Sequence, residues 1–297
     1  MKTFILTCFL GVMVMAGSLS SAFAWGQNGH RITSEIAERN LSPKSLAVLR
    51  SILGEETLAE ISTWPDDIRS DGTWDFVQPW HYISIEDDES WEGLERAEEG
   101  DLLLILEELE TFLRDPAAKS LTLSSKVKGR SASSTLEIKQ EKEIGKREAL
   151  AFYVHFLGDL HQPLHVGRRD DKGGNRILVE WFDEELTLHR VWDEMIIESA
   201  QLSYTEFATF LNRVAKQNRN EWTKASYLEW AKESKELRAF VYDFGEQRGG
   251  YSLNVKEAPS LSYGYRHKVM PVVREQLAKG GIRLASKLDA IFADYPE

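Results

Sequence analysis

Apolar positions along most of this chain recur every three or four residues, which is the spacing of helices that bury one face. Ile32, Ile36 and Ala37 predict a helix from about Gly29 to Asn40, with Asn28 as its cap. Ser42-Pro43 opens a second helix that ends near Gly54, and Thr57 to Ser62 forms a short third. Trp74, Phe76 and Trp80 fall in a loop, Glu86 to Glu89 in a solvated turn, and Asp101 to Leu113 in an amphipathic helix. Ser124 to Ser134 holds five serines, two lysines and an arginine and reads as an exposed loop. A long helix is expected from about Ser134 to His161, and others over Tyr204 to Lys216, Tyr227 to Glu246 and Tyr265 to Phe292, the last bent near Pro271. The period changes to two at Ile177 to Trp181, which predicts a strand. Its partner is Glu185 to His189 across Phe182-Asp183-Glu184, and helix resumes at Val191. The pattern predicts one mainly α-helical domain of many helices with a small β-hairpin.

Composition narrows the classes. With 297 residues, 42% hydrophobic and 28% charged, the chain reads as soluble and globular. A formal net charge of −12 argues against binding duplex nucleic acid over the whole surface, so any such contact must be local. Lys2, the apolar run Phe4 to Ala16 and Ala22-Phe23-Ala24 predict a signal peptide over 1–24. That run is too short to span a bilayer, so no stable membrane association is expected. Cleavage after Ala24 would leave Trp25 first in a 25–297 domain, in the periplasm or outside the cell. Cys8, the one cysteine, would leave with the peptide, so any metal must be held by nitrogen and oxygen.

The chemistry concentrates in Phe152 to Val166, FYVHFLGDLHQPLHV. His155 and Asp159 are four apart and share a helical face. Pro163 then disfavours further helix, which lets His165 point back toward the same place. An ion pair accounts for His155 and Asp159 but not for a third group delivered at the break, whereas a metal site accounts for all three. The same spacing recurs at His189 and Asp193. A lone histidine on an apolar face is more often a hydrogen-bonded core residue, and His161, on a different face from His155, is read as structural or as a support behind the ligands.

Six segments, WGQNGH, TWPDDIR, PWHY, HFLGDLHQPLH, GGN and LHRVWD, resemble in order the motifs of the three-zinc, single-strand-specific nucleases of fungi, plants and bacteria. That family shares a helical fold with bacterial zinc phospholipase C. The resemblance implies three Zn2+ ions. Asp66, His81 and His155 would hold one. Asp159 would bridge it to a second, bound also by His30 and by the amino group and carbonyl oxygen of Trp25. His165, His189 and Asp193 would hold the third. Asp66, Arg69 and Asp159 would carry the reaction, with metal-activated water attacking phosphorus and the Arg69 fork on a phosphate oxygen. Tyr82, Gly173, Gly174 and Asn175 would line a base pocket, and Lys172, with Arg168 and Arg169, would grip flanking phosphates. The substrates implied are single-stranded DNA and RNA, cut to 5′-phosphorylated products, and 3′-nucleotides, acted on by a monomer. The mature chain departs from fungal and plant members in lacking disulfides. It also carries Ser84 where several eukaryotic members have aspartate, which leaves base preference open. A zinc phospholipase C and a non-catalytic periplasmic zinc-binding protein remain as alternatives.

Overall fold

The structure is a computed structural model and describes residues 25–128, 137–245 and 258–296. Helices α1 (Gln27–Glu38), α2 (Pro43–Leu53), α3 (Leu58–Ile61) and α4 (Trp64–Asp67) come first. Next are α5 (Leu102–Arg114), α6 (Lys146–Leu160), α7 (Leu188–Arg190) and α8 (Ile196–Glu198). Helices α9 (Tyr204–Trp222), α10 (Tyr227–Val241) and α11 (Tyr263–Ile291) complete the helical set. Strands are short: β1 (Ile83–Ser84), β2 (Leu121–Lys128), β3 (Glu137–Ile144), β4 (Val166–Gly167), β5 (Leu178–Trp181), β6 (Glu184–Thr187) and β7 (Ser260–Leu261). The fold is mainly α, as the periodicity predicts. Among the described residues no helix is long and apolar enough to cross a membrane.

Helix α6 is the central element. Every side chain from Ala149 to Leu160 is buried, as expected of a helix that is apolar all round. Two apolar clusters surround it and its neighbours. One is built from α2, α5, α6 and the end of α11; the other from Trp25, the inner face of α1, the β5–β6 hairpin, α9 and the start of α11. Helix α11 lies against α1 at Gly281, where a Cβ would stand 2.6 Å from Ile36 Cβ. The β5–β6 hairpin forms as predicted, and Phe182 and Asp183 at its turn adopt φ of +48° and +71°. The parallel pair β1–β4 matches Ile83 with Val166 and Ser84 with Gly167. That pairing brings the His81-Tyr82 segment beside His165.

Several expectations are corrected. Asn28 does not cap α1; it lies inside the helix and donates to Glu198 Oε1 at 2.7 Å. The residue before the helix is Gly26, where a Cβ would come within 2.5 Å of Glu194 Cγ, so close packing rather than capping decides that position. The long helix starts at Lys146, not Ser134. The residues before it form the antiparallel β2–β3 ladder, in register from Leu121 with Ile144 to Lys128 with Glu137. The expected loop at Ser124 to Ser134 therefore begins as strand, and 129–136 lie outside the described residues. Its inner face, with Leu123, Ser125 and Ile144, alternates with solvated Ser, Lys and Glu, a strand pattern with few apolar members. Gly72–His81 is a run of 3₁₀ turns rather than open loop. Helix α9 continues to Trp222, α10 stops at Val241, and α11 runs through Pro271. The signal-peptide residues and Glu246 lie outside the described residues.

Candidate active site

His155 and Asp159 project from α6 one turn apart, into a space that α1, α4, the 3₁₀ segment and the α6 exit also reach. His155 Nδ1 meets the Ser62 carbonyl at 2.7 Å. A carbonyl only accepts, so Nδ1 carries the proton and Nε2 faces the cluster. There it lies 3.4 Å from Asp159 Oδ2, 3.1 Å from His81 Nδ1 and 3.9 Å from Asp66 Oδ1. His81 Nδ1 is also 3.1 Å from Asp159 Oδ2. On the other side His30 places Nε2 3.4 Å from Asp159 Oδ1, and its ring stacks on His155 with centroids 3.7 Å apart. Asp66 lies within the α4 turn, and Arg69 three residues on puts Nη1 3.3 Å from Asp66 Oδ1.

A second gathering forms where the chain leaves α6. Pro163–His165 turns, and His165 Nδ1 donates to the His81 carbonyl at 2.6 Å. His189 Nδ1 donates to the Gly173 carbonyl at 2.6 Å. Both rings are thereby fixed to present Nε2. His189 Nε2 reaches Asp193 Oδ2 at 3.0 Å, and His165 Nε2 reaches Asp193 Oδ1 at 3.7 Å. Asp193 lies in Val191–Met195, a π turn between α7 and α8, a distortion often found at functional sites. Gln162 ties the bend to this group: its amide donates to Asp193 Oδ1 at 2.5 Å and accepts from the Leu164 N–H at 2.6 Å. Trp25 is wholly buried, its main-chain N–H hydrogen-bonds the Asp159 carboxylate, and the Gly26 N–H donates to the Asp193 carbonyl at 2.8 Å.

Three sets of potential ligand atoms result, each within 4.8 Å of one another: His30, His155 and Asp159; Asp66, His81 and His155; His165, His189 and Asp193. Hydrogen bonding leaves many of these atoms unsatisfied. His30 Nδ1 and Nε2, Asp66 Oδ2, His81 Nε2, Asp159 Oδ1 and Asp193 Oδ2 are buried with no such partner. Burial pushes Asp159 well above the carboxylate range, reinforced by Asp66 and Asp193, and raises Asp66 to about 7. Burial also holds His30 and His81 well below the usual imidazole range and His155 at about 3. Such a set is unstable as bare anions and suited to divalent cations, which keep carboxylates ionised and need neutral imidazoles. Nitrogen and oxygen donors without thiolate fit zinc.

His81, His165 and His189 also line a cleft of about 450 Å³. Of the residues expected at the substrate, Arg69, Tyr82, Lys172, Gly173 and Asn175 line it. Gly174 is not among them; its N–H instead donates to Asp171 Oδ1 at 2.8 Å, fixing the turn from below. Gly173 has φ of +60°, and a Cβ there would fall 2.4 Å from the Leu164 carbonyl oxygen, so no other residue fits. Ser84, singled out in the sequence for base preference, lines the cleft, whereas sequence reasoning missed Gln78 in its wall, and Asp171. Asp171 is fully buried and its second oxygen accepts from Tyr242 at 2.7 Å. An aspartate ahead of Gly-Gly is an Asx-turn signal that could have marked it. His161 is structural, as read: Nδ1 donates to the Leu157 carbonyl at 2.8 Å and Nε2 accepts from Arg283 at 2.9 Å.

Comparison with known proteins agrees with this geometry. The S1/P1 Nuclease family model matches residues 25–293. Endonuclease 4 of Arabidopsis thaliana is 31% identical, with 97% of this chain and 96% of the plant protein covered. Nuclease S1 of Aspergillus oryzae is 26% identical, with 91% of this chain and 92% of the fungal protein covered. Nuclease P1 of Penicillium citrinum is also 26% identical, with 90% and 97% covered. The chain thus belongs to the S1/P1 nuclease family, a family of zinc-dependent phosphodiesterases.

Proposed function

We propose that the chain is a zinc-dependent endonuclease of single-stranded DNA and RNA that leaves 5′-phosphorylated products and also acts on 3′-nucleotides. In this reading Asp66, His81 and His155 hold one zinc. His30 and the Trp25 amine and carbonyl would hold a second, with Asp159 within reach of both sets. His165, His189 and Asp193 hold a third. Zinc when bound supplies Lewis acidity toward a phosphate oxygen and acidifies coordinated water. The chain supplies the rest. Arg69, anchored through Asp66, aims its planar fork at a phosphate oxygen in the transition state. Tyr82, 46% exposed beside the cleft, offers a ring face to an unstacked base. Duplex is disfavoured because a base must leave its stack to enter. The observation that carries this reading is the burial of unpartnered nitrogen and oxygen atoms around Asp159, in groups that share His81, His165 and His189 with the cleft wall.

Residues 1–24 act in this account as a cleaved signal, leaving the mature 25–297 domain in the periplasm or outside the cell. Cleavage then has a chemical consequence, because the Trp25 nitrogen can ligate only as a free amine, not as an amide. A variant with residues retained before Trp25 is expected to bind one zinc fewer and lose most activity; full zinc and full activity would reject the role. The primary test compares hydrolysis of single-stranded and duplex DNA, and of phosphatidylcholine, by the mature protein before and after chelation. Single-strand cleavage that is lost on chelation and restored by zinc supports the reading. Cleavage indifferent to metal removal, or preference for the phospholipid, refutes it.

A further inference from the structure

Building on that nuclease reading, we propose that the cleft selects the base it admits for hydrogen-bond acceptors, favouring guanine, with Arg169 reading O6 and N7. Among the described residues lining the cleft none is acidic, although the whole chain carries a net charge of −12. Its charged lining apart from the histidines is Arg69, Arg169 and Lys172, joined by the neutral side chains of Gln78, Ser84 and Asn175, which both donate and accept. Arg69 is committed to Asp66 and the phosphate, which leaves Arg169 and Lys172 for the base side.

Arg169 is held in a definite place. The β1–β4 pairing sets Ser84 against Gly167, two residues before it. Its Nη1 donates to the Ser84 carbonyl at 2.7 Å, its Nη2 to Glu89, and its main-chain N–H to Glu86 Oε1 at 2.8 Å. Glu89 lines a neighbouring hollow that shares Tyr82, Ser84 and Arg169 with the cleft, but does not line the cleft itself. Glu86, whose Oε1 is 4.0 Å from Arg169 Nε, does not line the cleft either, so neither carboxylate that fixes the guanidinium competes for a ligand inside. A guanidinium has five N–H donors, so two anchoring bonds leave others to give.

The base chemistry follows. Guanine presents O6 and N7 side by side, two acceptors that a planar guanidinium spans. Adenine replaces O6 with an amino donor, so it offers Arg169 N7 alone, and no carboxylate lines the cleft to favour the amino group in compensation. Adenine therefore forfeits one of the two charge-assisted bonds that guanine makes with the guanidinium.

The test uses the zinc-replete mature protein and dinucleoside monophosphates differing only at one base, with guanine, adenine or 7-deazaguanine at either position. For the position that enters the cleft, kcat/KM is expected to be about tenfold higher for guanine than for adenine, and to fall by about that factor when N7 is replaced by carbon. Arg169→Ala should bring all three rates together while zinc content stays full. Ser84→Asp, which adds an acceptor, should raise adenine relative to guanine. Equal rates for guanine and adenine in the unaltered protein, or indifference to 7-deazaguanine, overturn the proposal while leaving the nuclease reading intact. Failure to cleave any dinucleotide or single strand with zinc bound overturns both.

Discussion

The metal cage and the substrate cleft share three histidines but are built on opposite terms. The cage is buried, its candidate ligands come from α1, α4, α6, α7, the π turn and two 3₁₀ segments, and its rings are locked by main-chain carbonyls at Ser62, His81 and Gly173. The cleft is open, and its wall beyond those histidines comes mostly from turns and segment ends: Gln78, Tyr82, Ser84, Arg169, Lys172 and Asn175. The difference teaches where rigidity is placed. Ligands must be fixed before the ion arrives, whereas a wall that meets many sequences needs only a few fixed points.

That contrast makes changes in the cage act on metal and turnover, and changes in the cleft act on substrate affinity. The largest effect is expected at Asp159, which lies within 3.4 Å of His30, His81 and His155. Asp159→Asn should cut kcat by on the order of a thousandfold and lower the zinc content measured by elemental analysis. Gln162→Ala should come next. It removes the amide that steadies Asp193, and a titration should show one class of zinc sites weakened by about ten- to a hundredfold with the others unmoved. Asp171→Asn tests the cleft side. It breaks the acceptor for Tyr242 under the Gly173-Gly174 turn, so KM should rise about tenfold with kcat and zinc little changed. If Asp171→Asn instead strips zinc, the two regions are not separable.

The smallest expected effect concerns stability, away from both regions. Burial pushes the Glu233 carboxyl up, but Arg283 and Lys279 outweigh it and hold it at about 2, below its ordinary 4.5. A carboxylate whose pKa is depressed on folding stabilises fully above its unfolded value and loses that contribution as pH falls through the folded one. Melting temperatures of the parent and Glu233→Gln should therefore differ most above pH 4.5 and converge as pH falls toward 2. A gap that widens on acidification would contradict the assignment.

The gathering of candidate ligands was legible in the sequence because several of them ride on regular geometry. His155 with Asp159, and His189 with Asp193, needed only helical spacing, and Pro163 announced the break that returns His165. The roles of Trp25, His30, Asp66 and His81 came from the resemblance of six motifs, since their meeting depends on tertiary packing alone. The cleft was half legible. Paired glycines, which take positive φ at no steric cost, marked the Gly173 turn; Ser84 was singled out only through the resemblance, and Gln78 carries no local signal. Their positions are set by the β1–β4 pairing and the 3₁₀ run before it. Two misreadings have the same root. The β2–β3 ladder hid because lysine, glutamate and serine fill its outer face and a true helix follows, so helical spacing seemed to extend backward. Asn28 was read as a cap from composition, while the clash that demands Gly26 lies with Glu194, far away in sequence.

The central claim is that Trp25, His30, Asp66, His81, His155, Asp159, His165, His189 and Asp193 together hold zinc at the floor of the cleft. Zinc per chain, measured on the mature protein beginning at Trp25 together with its rate on single-stranded DNA, tests this most directly. The account predicts three zinc ions per chain, with activity falling as they are withdrawn and returning with them; a fully active protein holding no zinc would contradict it.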